Sequence, residues 1–493
     1  MKFFDTIFSW MGYKKNLTAQ KLRIKLKFNT KKKIENLPPQ KIDVDKPITY
    51  LLNDPTTPYL VKKILPLTHI SNPKYYVAGY AGGGHGIDSL EGKAANIFTT
   101  MTNSISMVNK NSNKPLPDWP GTDILIAIPT AGEDLNAFYN RLSLQFFYGK
   151  SSTTNTEVFT ADSSEIVAHE LGHAVLDSFR PDTWSAASLE VWSFHEAFAD
   201  MFSVLSLMQH EEILEFVLEE TGGDLKKHNV VSSIGEQFGA VIFDITKGKY
   251  GRKVEWLRTA INDFKYVDPN GLPEKGRYDQ ITAECHSFGR IFLGALYDIL
   301  VMIYYENVAS KGQLQALKEA RDTMCRYLLK AIQNAPLNTK FYESVARTLL
   351  WVDWNTPDKK YHNKMRNIFI DRNLISSEIK MLSSIVPDDD NIEHLEGLSI
   401  VRKNNVGKLS EYLPIRAQSN NPLYNVNINL VQEDGYFLDN QGNIIDMIET
   451  SQKESVIDAQ GMIEFLYESK NFDTDDSKPF KMDNNRLVRN YFN

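Results

Sequence analysis

Two cysteines in 493 residues, Cys285 and Cys325, are too few for a disulfide scaffold. They fit a reducing compartment without excluding export. No run approaches the roughly 18 apolar residues of a membrane-crossing helix, so no membrane span is expected. Positive charge is not in excess: 55 Lys and Arg against 62 Asp and Glu give a formal charge of −7. That balance argues against a general nucleic-acid binder. A phosphate loop is missing too. The one Gly-rich stretch, residues 79–86, reads as a flexible turn, and Gly92-Lys93 lacks both the correctly spaced first glycine and the hydroxyl residue. Residues 1–13 are apolar in patches, but Asp5 interrupts them and no small-residue cleavage site follows. A secretory signal is therefore not expected, which leaves the cytoplasm or a non-standard export route. No internal repeat is visible.

What remains is an ordinary globular composition, 42% hydrophobic and 24% charged. A chain of this length exceeds one core, so two to four domains or subdomains are expected. Residues 1–46 hold 12 Lys and Arg against 4 Asp and Glu, a charge of +8 that leaves −15 for the remainder. Within them, residues 21–28 alternate apolar and basic, the pattern of an edge strand guarded by lysines or of a membrane- or partner-binding arm. Residues 47–160 form a β-rich lobe of short runs, with strands expected at 123–128 and 142–148. Residues 161–382 are helical, with a short apolar run at 238–245. A helix from His286 to about Tyr305 is apolar nearly all round and so expected to be buried. Amphipathic helices follow near 313–333, 340–352 and 360–372. Residues 387–391 read as a linker, and residues 396–493 as a β-containing appendage with a hairpin joining 435–438 to 442–445.

The chemistry concentrates in residues 163–200. Ser163 and Ser164 can cap a helix whose first turn carries Glu165. On that helix His169 and His173 are four residues apart, so both imidazoles leave one face a turn apart. This spacing suits two ring nitrogens bound to one zinc at about 2.0–2.1 Å. Glu170 can point toward a water held there. A second helix, beginning near Leu189, places Glu196 and Asp200 on one face. Glu196 completes a two-His, one-Glu set with a fourth position open, and Asp200 can accept the other N–H of His169. His195 is expected to be a neighbour rather than a ligand, because a helix turns about 100° per residue.

His169-Glu-Leu-Gly-His173 followed by Glu196-xxx-Asp200 resembles the thermolysin-like zinc metallopeptidases, the gluzincin branch of the HExxH enzymes. Asn136-Ala137-Phe138-Tyr139 and then Phe147-Tyr148-Gly149 are similar to that family's substrate-binding edge strand and the turn after it. His286-Ser287-Phe288-Gly289 is similar to its second catalytic histidine. The likeness spans roughly residues 120–350. It implies an α+β, two-lobed zincin fold, a Zn2+ cofactor and a peptide or protein substrate. By resemblance, Glu170 is the general base and His286 the donor to the oxyanion. Asn136, Ala137 and Tyr139 line the substrate edge, and Arg277 corresponds to the pocket arginine.

Several positions depart from the family pattern. The gap from His173 to Glu196 is about three residues longer, so the connecting loop is expected to bulge. Trp184 stands near the place of the family's oxyanion tyrosine. Asp279 and Glu284 are both candidates for orienting His286. Glu165 matches one calcium ligand, while the rest of the acidic cluster is not evident, which leaves Ca2+ an open second cofactor. Two other functions fit the same motifs: an aminopeptidase of this fold, and a zincin-fold binding protein with little or no turnover.

Overall fold

A computed structural model describes residues 48–57, 61–64, 74–80, 82, 88–134, 136–150, 157–186, 188–235, 239, 256–273 and 275–376, with shorter segments from 392 onward. The basic segment 1–46, the apolar run 238–245, the linker 387–391 and most of the Gly-rich stretch lie outside these residues. Helices and sheets are both present, as an α+β chain requires.

The N-terminal part is β-rich with one long helix. Strands β1 (Ile48–Leu51) and β2 (Val61–Ile64) pair antiparallel. A four-stranded sheet contains β3 (Tyr75–Val77), β4 (Leu125–Ile128), β5 (Ala137–Tyr139) and β6 (Ser143–Phe146), in the order β3-β4-β6-β5. The first three run parallel and β5 is antiparallel to β6, so β5 stands at the end of the sheet. Helix α1 (Leu90–Asn111) begins at Ser89, whose side chain accepts the Gly92 N–H. The expected strand at 142–148 breaks at Phe147, and β7 (Tyr148–Lys150) turns away to pair with β8 (Glu157–Phe159).

The helical part contains the motif. Helix α2 (Ser164–Phe179) starts where the sequence places it, with Ser163 accepting the Ile166 N–H. Helix α3 (Leu189–Leu207) packs along it. A Cβ at Gly172 would meet the Ala199 Cα at 2.9 Å, so glycine at this point of the HExxH motif permits the close approach of the two helices. Helix α4 (Glu211–Thr221) ends on Gly222 in the left-handed conformation. The two-residue strands β9 (Ser233–Ile234) and β10 (Arg258–Thr259) form a short antiparallel pair.

Helix α5 (Cys285–Lys311) crosses α3, and Gly289 plays the same part there: a Cβ would lie 2.8 Å from the Ser193 carbonyl oxygen. By length and composition α5 could cross a membrane, which the sequence reading did not anticipate. Its most apolar window is 89% buried inside the protein, so it is a core helix. Helices α6 (Gln313–Asn334), α7 (Phe341–Trp354) and α8 (His362–Asp371) lie within two residues of the expected bounds.

The C-terminal part is β. One antiparallel sheet holds β11 (Ile392–His394), β12 (Ile400–Asn404), β15 (Glu433–Leu438) and β16 (Ile444–Ile448). A second holds β13 (Leu413–Arg416), β14 (Asn425–Ile428), β17 (Phe472–Asp473), β18 (Phe480–Asp483) and β19 (Arg486–Arg489). The expected hairpin is β15–β16, antiparallel with a bulge at Phe437/Leu438. It is pinned to the helices by polar contacts. The Leu337 N–H donates to Glu433 Oε2 at 2.7 Å, the Trp351 indole to the Leu438 carbonyl at 3.1 Å, and Arg347 pairs with Asp446.

Candidate metal centre

Helices α2 and α3 bring three side chains to one point. His169 Nε2 and His173 Nε2 are 3.1 Å apart, and Glu196 Oε2 lies 3.5 and 3.7 Å from them. Ligand atoms on a tetrahedral cation with bonds of about 2.0–2.1 Å stand about 3.3–3.4 Å apart. The observed separations bracket that value, so the buried group His169, His173 and Glu196 can hold a metal ion with little rearrangement. Glu196 Oε2 is buried and faces three imidazole nitrogens, those of His169, His173 and His286, at 3.1–3.7 Å. A carboxylate oxygen ringed by imidazole nitrogens is a donor set that a cation would satisfy.

His169 is held from behind. His169 Nδ1 lies 2.8 Å from Asp200 Oδ1. Arg258 on β10 grips Asp200 with two bonds of 2.7 Å. Sequence reasoning placed Asp200 correctly but missed Arg258, which stands 58 residues away with no motif around it. Burial alone would raise the Asp200 carboxyl, but Arg258 and His169 outweigh it and hold the group down at about 2. For His169, burial opposes the charge, and Asp200 more than compensates, carrying it up to about 9. Glu170 is buried beside the cluster, and burial is the main cause that pushes its carboxyl up to about 7. Neighbouring His169 pulls the other way, and Glu196 adds to the rise. Burial likewise works against ionisation of Glu196, yet His286 and His173 bring it well below the usual carboxylate range.

His286 joins this group from the first turn of α5, its Nε2 3.1 Å from Glu196 Oε2. Its Nδ1 makes a short contact with Glu284, which also caps the helix by accepting the Ser287 N–H at 2.8 Å. Of the two carboxylates that sequence reasoning proposed for this task, Asp279 is therefore the wrong one. Asp279 sits at the surface in an ion pair with Arg277 at 2.8 Å, both side chains more than half exposed. Arg277 is thus tied to a solvent-facing partner. Glu284 succeeds because a helix-capping residue two positions before His286 shares its turn.

The loop between His173 and Glu196 contains a 3-10 turn over Pro181–Ser185. Arg180 anchors it, donating to the Ile332 and Ala335 carbonyls and gripping Asp182. Trp184 is packed into this turn, edge-on to Tyr139 and His195, with the Arg141 guanidinium over its ring. At 4% exposure it is a core side chain, packed away from where the resemblance expected an oxyanion donor in contact with substrate. His195 is a neighbour, as expected: its Nε2 lies 2.8 Å from Thr183 Oγ1.

The expected edge strand is β5, and its residues fare differently. Tyr139 is buried and its hydroxyl donates to Asp177 at 2.9 Å, so it serves packing rather than substrate. Ala137 lies in the strand at the sheet's end. Asn136 precedes it, with its carbonyl accepting from Phe147 N–H and Thr160 Oγ1. The Asn136 side-chain amide is buried and has no hydrogen-bond partner among the described residues. Glu165, the one candidate calcium ligand, is fully buried and its Oε2 accepts the Gly235 N–H at 2.7 Å. No family model matches the chain, and no curated protein matches it.

Proposed function

We propose that the protein is a zinc-dependent metalloendopeptidase with the two-lobed architecture of the thermolysin-like enzymes. The observation that carries this reading is the convergence of His169, His173 and Glu196, with Glu170 buried against them. Two imidazoles and one carboxylate form a donor set that suits zinc and keeps a coordination position open. Bound there, zinc supplies Lewis acidity that polarises a carbonyl and acidifies water.

The remaining work falls to the chain's own residues. Glu170 takes a proton from the attacking water and passes it to the leaving amine. His286, oriented by Glu284, donates to the developing oxyanion. Strand β5 offers Asn136 and Ala137 as the edge to which an extended substrate adds antiparallel. The buried Asn136 amide, which has no hydrogen-bond partner among the described residues, supports that role, since a substrate main chain would supply partners. Asp200 and Arg258 keep His169 in the tautomer that presents Nε2.

A protein of the same fold that holds the cation without turnover is the second reading. The burial of Trp184 favours it, because this indole is packed away where a further oxyanion donor was expected. Glu170, intact beside the ligands, counts against it. The test is cleavage of an unstructured protein after chelation and again after zinc is restored. Abolition followed by recovery is expected; activity unaffected by chelation would refute the proposal.

A further inference from the structure

A second metal-ligating group shares Glu196 with the first. Cys285, His286 and Glu196 place one donor atom each within 4.8 Å of the others. Cys285 Sγ is 3.5 Å from His286 Nδ1 and 3.4 Å from Glu284 Oε1. Glu284 holds His286 from the Nδ1 side, which leaves Nε2 directed at Glu196, 3.1 Å away. A carboxylate behind an imidazole is the arrangement that presents a histidine to a metal. The Nε2–Oε2 separation is again close to the roughly 3.3 Å between ligands on one tetrahedral cation. Cys285 is half-buried.

We propose a second cation position beside the first, built from the Cys285 thiolate, His286 Nε2 and a bridging Glu196, that takes a thiophilic divalent cation. It deepens the zinc reading above and rests on it only for Glu196, which both positions use. A thiolate sets it apart chemically: the first position offers nitrogen and oxygen alone, and a soft donor raises affinity for zinc, cobalt or cadmium over magnesium or calcium. Binding proceeds as the sulfur–metal bond forms and the thiol proton leaves to water. A cation held there occupies the Nε2 that peptide hydrolysis assigns to the substrate, so the two uses of His286 exclude each other.

Cobalt(II) titration of the full, metal-stripped chain tests this. Two equivalents are expected to bind, the second bringing a sulfur-to-cobalt charge-transfer band in the near ultraviolet. Cys285→Ser and Cys285→Ala should each bind one equivalent without that band. Cys325→Ser should keep it, because Cys325 is buried within α6. A wild-type protein that binds one equivalent with no band overturns the proposal, as does a band that survives both changes at Cys285. The readout does not depend on catalysis. Absence of peptide cleavage by the protein carrying a single equivalent of zinc, below the level that gives the band, would sink the peptidase reading and leave this one standing.

Discussion

Gly172 lies between the two histidines of the motif but ligates nothing, which makes Gly172→Ala an informative perturbation. The added methyl would meet the Ala199 Cα at 2.9 Å and the Phe202 Cβ at 3.2 Å, and the first of these contacts is backbone that cannot rotate aside. Helices α2 and α3 would have to separate by about 0.5–1 Å to restore ordinary packing. Overpacking of this kind costs about 1–3 kcal/mol, against about 1 kcal/mol gained by replacing glycine within a helix. Global stability should therefore fall by no more than about 2 kcal/mol. Metal binding should suffer more. His169 and His173 are on α2 and Glu196 on α3, and coordination tolerates only about 0.2 Å of misplacement. Zinc affinity is expected to drop at least tenfold, roughly 1.4 kcal/mol, while the metal-free protein stays folded. Competition against a chromogenic chelator gives the affinity, and thermal melting of the metal-free protein gives the stability. Unchanged zinc affinity in a folded variant would refute the argument that this glycine sets the ligand geometry.

Other perturbations probe separate parts of the site. Glu284→Gln, which leaves α5 a capping side chain, should lower kcat about 10- to 100-fold with little change in KM, because His286 loses its orienting charge; an equal fall in kcat and rise in KM would contradict this. Arg258→Met leaves the Asp200 carboxylate buried without its cation and should destabilise the fold by about 3–5 kcal/mol, measured by urea unfolding. Glu190 provides a pH test. Burial pushes its carboxyl up to about 8 although Tyr266 and Tyr342 donate to it. The folded state thus binds a proton that the unfolded state releases near its ordinary 4.5, so stability is fullest below that pH and is lost as pH rises through about 8. The melting temperature of metal-free protein should fall over that window, with a shallower slope in Glu190→Gln; identical slopes would contradict it. Finally, peptides blocked at the N-terminus should be cut as readily as free ones, whereas a strict need for a free amine would point to an aminopeptidase.

Much of this site was legible because helical periodicity is local. The four-residue spacings of His169 with His173 and of Glu196 with Asp200 predict shared faces, and α2 and α3 carry them so. The serine cap before α2 and the apolar character of α5 were equally readable. What failed was non-local. Arg258 reaches Asp200 from a two-residue strand, too short to leave a pattern. The choice of Glu284 over Asp279 depends on where α5 begins, a boundary that capping geometry decides. By resemblance Tyr139 was assigned to the substrate edge and Trp184 to the place of an oxyanion donor, yet they pack against each other inside the protein. Aromatic rings next to a cleft in sequence are as easily its floor as its lining. The C-terminal hairpin was expected, but not the contacts of Glu433, Leu438 and Asp446 with the helices.

The central claim is that Glu170 acts on water beside a cation held by His169, His173 and Glu196. Parallel assay of zinc content and protein cleavage in wild type and Glu170→Gln tests it most directly. Zinc retained at the wild-type level with cleavage reduced by a factor on the order of a thousand or more is the predicted result. Equal cleavage by the two proteins would contradict the account.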